Sequence, residues 1–266
     1  MTHIIVDRPA PGVMTLTLNR PEHNAFNFAM YAALLDLLHA LRTDLYTRVV
    51  IVTGSGRFFS VGHDLRNAGT QPWFPAEIGE GYIQQQTALQ ISSIPHLMRG
   101  LPQVFVGAVN GPAVGIAYAL LLACDMCIAG RSAKFINAVH NTGIGTELGM
   151  SYFLPRAVGS QRAAELLLTS RAVEAEEAAR IGLALSTVDD DQLQAACMAL
   201  AERILVNTPM DTWLTKQAHW LSLGAGGLEA AVELENRSMT GARATEDAVE
   251  KRKAFFEKRA PRFLFR

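Results

Sequence analysis

The sequence predicts an α/β domain with parallel strands and a helical C-terminal region. Three observations carry this. Short apolar runs rich in valine, "VVIVTG" and "VFVGAV", alternate with segments whose apolar residues recur at helical spacing. "GIAYALLLACD" is apolar nearly all round, as expected of a helix sealed inside a core. From about Asp211 onward few strand-like runs occur. A chain of 266 residues with 49% hydrophobic content can bury a sizeable core. The expected division is a core over residues 1–210 and a helical region over 211–266.

The elements follow in order. "GVMTLTLNR" alternates apolar and polar residues and reads as a strand from Val13 to Leu18. "NFAMYAALLDLLHALRTD" has the helical period from Met30 to Leu41. "TRVVIVTGSG" reads as a buried strand closed by a glycine turn. A polar and aromatic stretch runs from Arg66 to Tyr82, and a helix follows to about Met98. "LPQVFVGAVNG" repeats the strand-and-turn pattern, and the buried helix starts near Gly115. "DMCIAG" and "AKFIN" read as two further strands. After Gly159 the chain is expected to be helical to its end. Strands alternating with helices imply parallel pairing with crossovers.

Composition excludes several functions. The formal net charge is −1, which gives no electrostatic case for nucleic acid or an anionic membrane surface. Cys124, Cys127 and Cys197 make no disulfide framework, and the Cys124-x-x-Cys127 pair lacks a second pair to complete a metal site. Buried thiols, no metal and a reducing compartment are expected. "MTHIIVDRPAPG" lacks the basic start and apolar run of a signal peptide, and the apolar stretch near Ala113 to Ala123 is too short to span a bilayer. A cytoplasmic protein is the expectation.

Three segments hold candidate chemistry. "GSGRFFSVGHDL" leaves a strand, turns on glycines and ends in Gly62-His63-Asp64. Glycine there lets a ligand approach the backbone, but no Gly-Lys-Ser/Thr follows, so it is not a phosphate loop. "VNGPAVGIAYALLLACD" takes a strand through Asn110-Gly111-Pro112 into the buried helix, whose first N–H groups are free to hold negative charge. "GIGTELGM" carries one carboxylate, Glu147, in a stretch poor in charge. Between Arg131 and Arg156 the only other formal charge is Lys134. Glu147 is either an acid at a turn or helix start, or a carboxylate held in an apolar pocket to move protons. No Gly-x-Ser-x-Gly elbow is present, and Gly143-x-Gly145 does not extend to a dinucleotide fingerprint.

Together with "NRPEHNAF", "RAVG" and "EKRKAFFEKRAPRF", these segments resemble the crotonase (enoyl-CoA hydratase/isomerase) superfamily over nearly the whole chain. The resemblance implies a ClpP-like spiral of repeated ββα units, closed by a C-terminal helical region that mediates trimerisation. It implies a homotrimer or a dimer of trimers. The substrate implied is a small-molecule acyl-CoA thioester, with coenzyme A part of the substrate and no prosthetic group. It implies an oxyanion hole made by the backbone N–H groups of His63 and Ile116. By the same carry-over, substrate and CoA contacts fall on His23, Ala25, Ser60, Gly62, Asp64, Leu65, Gly115, His140, Gly143 and Lys258.

Hydratases of this family use two glutamates, and the matching positions here are Ala119 and Val139. Neither side chain transfers protons. Glu147 falls at a third position, matching peroxisomal-type Δ3,Δ2-enoyl-CoA isomerases, and the resemblance makes it the catalytic base. Other roles stay open. Asp64 orders its turn as readily as it binds substrate. His140 has an ordinary, partly buried reading. Trp73, Phe74 and Tyr82 either roof the acyl pocket or pack. Lys251, Arg252, Lys253, Lys258 and Arg259 either meet CoA phosphates or form a solvated face. The expected activity is isomerisation of a 3-enoyl-CoA. The alternatives are hydratase-like, hydrolytic or carbon–carbon-cleaving chemistry, and acyl-CoA binding without catalysis.

Overall fold

The computed structural model describes residues 3–20, 22–75, 77–138, 143 and 145–266. Its centre is a sheet of strands β1 (Ile4–Ala10), β2 (Val13–Leu18), β3 (Val49–Gly54), β4 (Val104–Val109), β6 (Met126–Gly130) and β9 (Ser186–Val188), paired in that order. β1 pairs antiparallel with β2, and the remaining neighbours are parallel. A second sheet joins β5 (Pro112–Val114), β7 (Lys134–Ile136) and β8 (Ala172–Glu174).

The side-chain period of two sorts the central strands between two cores. Val49, Ile51, Val104, Val106 and Ala108 face one way, onto Leu193, Cys197 and Ala201 of α7 (Leu193–Leu205). Val50, Val52, Phe105 and Val109 face the other, into the larger core. There they meet α1 (Phe28–Leu41), α2 (Glu80–Gly100), α3 (Ile116–Ala123) and α4 (Met150–Val158). Helices on both faces explain why β3 and β4 are almost wholly apolar. All eight residues of α3 are buried, as its sequence requires.

After Gly159 come α5 (Ser160–Thr169) and α6 (Ala175–Arg180), but the stretch is not helical throughout. β8 and β9 interrupt it. Each is three residues long, too short to show a period, and each exists only because an edge of a sheet is there to pair with.

Of the C-terminal helices α8 (Pro209–Ser222), α9 (Leu228–Arg243) and α10 (Glu246–Phe256), the first is docked by a buried ionic cluster. Lys216 of α8 is 6% exposed. Its Nζ donates to the carbonyls of Met98 (2.7 Å) and Gln103 (2.6 Å) and pairs with Asp125 at 3.1 Å. Asp125 also accepts from Trp220 Nε1 (2.7 Å), the Phe105 N–H (2.8 Å) and Arg99 (3.3 Å). Burial lowers the Lys216 and Arg99 pKa values, and Asp125 opposes this in both. Removing the one anion leaves two buried cations facing each other. Asp125→Ala is therefore expected to cost about 3–5 kcal/mol, read as a lower urea midpoint. An unchanged midpoint would show that the cluster does not hold α8 in place.

Candidate active site

The candidate site forms at the C-terminal ends of β3 and β4, where two loops meet. Two asparagine side chains fix the first loop. Asn110 Oδ1 accepts from the Gly54 N–H (3.0 Å), and its Nδ2 donates to the Gly56 carbonyl (2.9 Å). Asn24 Nδ2 donates to the carbonyls of Ser55 and Phe58, both at 2.9 Å. The second loop is β5, bridged to the first at Ser60 and Ala113. Ser60 is fully buried. Its N–H donates to the Pro112 carbonyl (3.2 Å), its Oγ to the Asn24 carbonyl (2.7 Å), and its Oγ accepts from the Gly62 N–H (3.1 Å).

These bonds aim two peptide N–H groups. In a trans peptide the N–H points opposite to the preceding carbonyl. The Gly62 carbonyl is tied to the Phe26 N–H at 2.7 Å, so the His63 N–H points away from that bridge. The Gly115 carbonyl accepts from Ala119 N–H at 3.0 Å inside α3, so the Ile116 N–H projects from the helix start. Among the described residues neither N–H has an acceptor. The two lie close. A Cβ built at Gly62 would stand 3.6 Å from Ile116 N and 2.5 Å from the Val114 carbonyl oxygen. Gly62 also has φ +84°, so both space and backbone demand glycine. Gly115 has φ +55° and ψ −118°, likewise a glycine conformation. Two adjacent, unpaired backbone donors at rigid chain reversals are suited to an oxygen that gains negative charge.

His63 is half-buried beside them. Its Nδ1 lies 3.2 Å from the hydroxyl of Tyr31, a fully buried residue of α1. Burial lowers the His63 pKa, although Asp64 opposes this, so the ring is neutral around pH 7. Asp64 has a different duty. Burial raises its pKa, but the Asn67 and Arg66 N–H groups and Arg20 outweigh this and leave it lowered. Its oxygens accept from the Asn67 and Arg66 N–H groups at 2.8 and 3.1 Å and pair with Arg20 at 2.7 Å. Arg20 also reaches the Ala25 carbonyl (3.0 Å), tying the first loop to the segment before α1.

Glu147 lies on the loop before α4 and is half-buried. Among the described residues its carboxylate meets no hydrogen-bond donor and no cation, and burial raises its pKa. Its position is set by a turn. Leu148 (φ +51°) and Gly149 (φ +75°) are both left-handed, and the Met150 N–H closes onto the Glu147 carbonyl at 3.0 Å. Leu148 is 6% exposed and adopts a conformation costly for a side-chain-bearing residue. Its burial in the core holds that turn. The charge of Glu147 acts on Tyr31, raising a phenol pKa already driven up by burial. Glu147, Tyr31 and His63 thus share one neighbourhood. Ala119, one turn into α3 from Ile116, is fully buried.

The remaining sequence candidates divide. Ser60, Gly62, Asp64, Ala25 and Gly115 are interlocked in the loops just described. His23 is exposed and packs edge-on against Phe58 at 4.9 Å, and Leu65 is 64% exposed beside them. Gly143 is exposed with φ +71°. His140 and Val139 lie outside the described residues. Within this chain Lys258 lies apart from the two loops. It follows α10, where the tail folds back through Arg259–Glu250 and through the Leu264 and Phe265 N–H groups on Asp247. No contact among the described residues links it to either loop. Arg259 is likewise occupied, held by Glu250 and Glu257 rather than free for a phosphate. Of the three variable aromatics, Trp73 packs edge-on against Phe28 (6.2 Å), while Tyr82 is 76% exposed. Tyr31, Asn24 and Arg20 were not singled out in the sequence. Tyr31 reads there as one more large residue on the buried face of a helix.

The family model described as enoyl-CoA hydratase/isomerase matches residues 9–265. The chain belongs to this family. It is 41% identical over 234 residues to a probable enoyl-CoA hydratase of Mycobacterium tuberculosis (strain H37Rv), covering 87% of this chain and 82% of the relative. A probable enoyl-CoA hydratase/isomerase from Mycobacterium abscessus superposes with a TM-score of 0.91 at 34% identity, covering 98% of each chain. A monofunctional enoyl-CoA isomerase from Mycobacterium smegmatis superposes with a TM-score of 0.73 at 39% identity, covering 86% of this chain and 98% of that one. The family's crotonase fold, with its helical C-terminal region, is the fold of this chain, and the family's substrates are acyl-CoA thioesters. The names of the relatives divide between hydratase and isomerase. Among the described residues no helix is long and apolar enough to cross a membrane.

Proposed function

We propose that the protein is an enoyl-CoA isomerase that moves the double bond of a 3-enoyl-CoA to the 2-position, with Glu147 as the single base. The observation that carries this is the placement of carboxylates. Glu147 is half-buried and unpaired among the described residues, while the first position used by hydratases holds the buried methyl of Ala119. In this reading the thioester oxygen sits between the N–H groups of His63 and Ile116. Glu147 takes a proton from C2, and the electrons move into the carbonyl to give a dienolate. The same carboxylic acid returns the proton to C4. No water is consumed, so no second carboxylate is needed. Coenzyme A enters only as part of the substrate, and no prosthetic group takes part.

Incubation with a 3-enoyl-CoA should give the conjugated 2-enoyl-CoA, with the C2 proton exchanging in heavy water. Accumulation of 3-hydroxyacyl-CoA as the main product would instead establish a hydratase, the activity in the name of the M. tuberculosis relative. The pH profile carries a sign. The base works deprotonated, and burial favours the protonated form, so kcat/KM is expected to fall as pH drops through a pKa above the ordinary value of 4.5. An acid limb with its midpoint at or below that value would contradict a desolvated base.

A further inference from the structure

We propose that Tyr31 is a positioning residue of the oxyanion hole: its buried hydroxyl holds the His63 ring and thereby fixes the direction of the His63 N–H. The inference rests on the reading of His63 and Ile116 as the two donors, and adds a residue of α1 to that machinery.

Tyr31 is 0% exposed, and a phenol hydroxyl so deep in a core needs a partner. Among the described residues that partner is Nδ1 of His63, at 3.2 Å. The bond can run in two directions. If Nδ1–H donated to the phenol oxygen, the phenol hydrogen would be left in the core with no acceptor among the described residues. Donation from Tyr31 to Nδ1 satisfies both groups and puts the ring proton on Nε2. Packing supports the same placement. The Tyr31 and His63 rings stack with centroids 5.8 Å apart and planes 26° from parallel. Phe26 backs Tyr31 at 5.0 Å, and Phe28 flanks His63 at 5.8 Å.

Both donor peptides are held at their carbonyls, and the His63 donor has in addition a side chain that is hydrogen-bonded to Tyr31. Ile116 begins a helix, so its peptide is locked by the first helical bond at the Gly115 carbonyl. The Gly62–His63 peptide is held at the Gly62 carbonyl by the Phe26 N–H (2.7 Å), flanked by the Gly62 N–H on Ser60 Oγ (3.1 Å) and the Asp64 N–H on the Phe26 carbonyl (2.9 Å), next to a glycine with φ +84°. The Tyr31 hydroxyl adds to these backbone bonds an anchor at the far end of His63, through its side chain. The groups that set the charge around the ring are Tyr31 from α1, neighbouring Asp64 with its partner Arg20, and Glu147 acting through Tyr31.

The test reads the donors without asking for turnover. A 3-oxoacyl-CoA has an acidic C2–H, and its enolate absorbs in the near ultraviolet. Bound to the wild-type protein, the enolate should appear at lower pH than in free solution, because the hole stabilises the anion. Tyr31→Phe is expected to move that titration up by about one pH unit, a tenfold loss of enolate stabilisation. Affinity for a saturated acyl-CoA should stay within about twofold, because a ground-state carbonyl gains less from the donors than the anion does. His63→Ala keeps the peptide N–H but removes the ring, so it should give a similar shift, and Tyr31→Phe added to it should give no more. This second variant also serves if the Tyr31 substitution impairs folding. Identical titrations for Tyr31→Phe and wild type, or shifts that simply add in the double variant, would overturn the proposal. If the wild-type protein gathers no enolate at all, the oxyanion-hole reading itself falls and takes Tyr31 with it. Loss of activity in Glu147→Gln with normal enolate binding separates the base from the hole.

Discussion

Glu147→Gln should abolish measurable isomerisation, with kcat falling by roughly 10²–10⁴, the usual range for a general base, and KM nearly unchanged. The amide keeps the shape and loses the proton-accepting oxygen pair. Binding of a saturated acyl-CoA is the control, since it does not call on the base. A protein that isomerises at the wild-type rate after this change cannot be using Glu147. The same substitution has a stability consequence of opposite sign. Burial raises the folded-state pKa of Glu147, so the folded form disfavours its charge. A group with a raised folded pKa contributes stability that is present below its unfolded pKa and lost as pH rises through the folded one. At pH 7, above the ordinary value, the wild-type protein therefore carries the cost of burying this carboxyl group. Glu147→Gln is expected to raise Tm at pH 7 and to lose this advantage near pH 4. Lower activity with higher stability is the signature of a group strained for function, and a merely exposed turn acid would show neither effect.

Gly62→Ala should be nearly as damaging, by a different route. The new Cβ would stand 2.5 Å from the Val114 carbonyl oxygen, and residue 62 would still need φ +84°. The Cβ has its place fixed by the backbone and its partner is a backbone oxygen, so a side-chain rotation cannot relieve the clash. The Gly62–His63 peptide must shift away from β5 and from the Ile116 N–H. Loss of one such donor costs about 10²–10³ in rate. Left-handed strain and crowding add about 1–3 kcal/mol of destabilisation. Steady-state kinetics and a urea titration on the same preparation measure both. A folded Gly62→Ala protein with wild-type kcat would remove the His63 N–H from the mechanism.

Much of this was legible in the sequence because it is local. The apolar runs of β3 and β4, the helical period of α1 and the all-round apolarity of α3 each identify one element and its burial. Glycines at 62 and 115 marked the chain reversals, and the lack of charge around Glu147 foretold a desolvated carboxylate. What stayed hidden depends on residues far apart in the chain. Asp125 and Lys216 are separated by a long interval, and nothing near either one announces the other. Tyr31 sits where a helix wants a large apolar residue, so its hydroxyl carries no signal until the loop of His63 is folded against it. β1 escaped because an edge strand with five consecutive exposed residues lacks alternation. The surroundings of Lys258 follow from how the tail folds back on Asp247 and Glu250, which no local pattern announces.

The peptide arrangement of the two loops has a consequence for how this gene can drift. The His63 and Ile116 donors are main-chain atoms, so every codon at either position except proline still encodes an N–H. Short of proline, a change at 63 can loosen a donor but cannot delete it. Fragility is displaced one residue upstream, to Gly62 and Gly115, whose positive φ admits few replacements. On the proposed reading, random variation will therefore be milder at positions 63 and 116 than at the silent glycines before them. On the same reading, alternative chemistries can be sampled by relocating a carboxylate around two donors that substitution rarely removes.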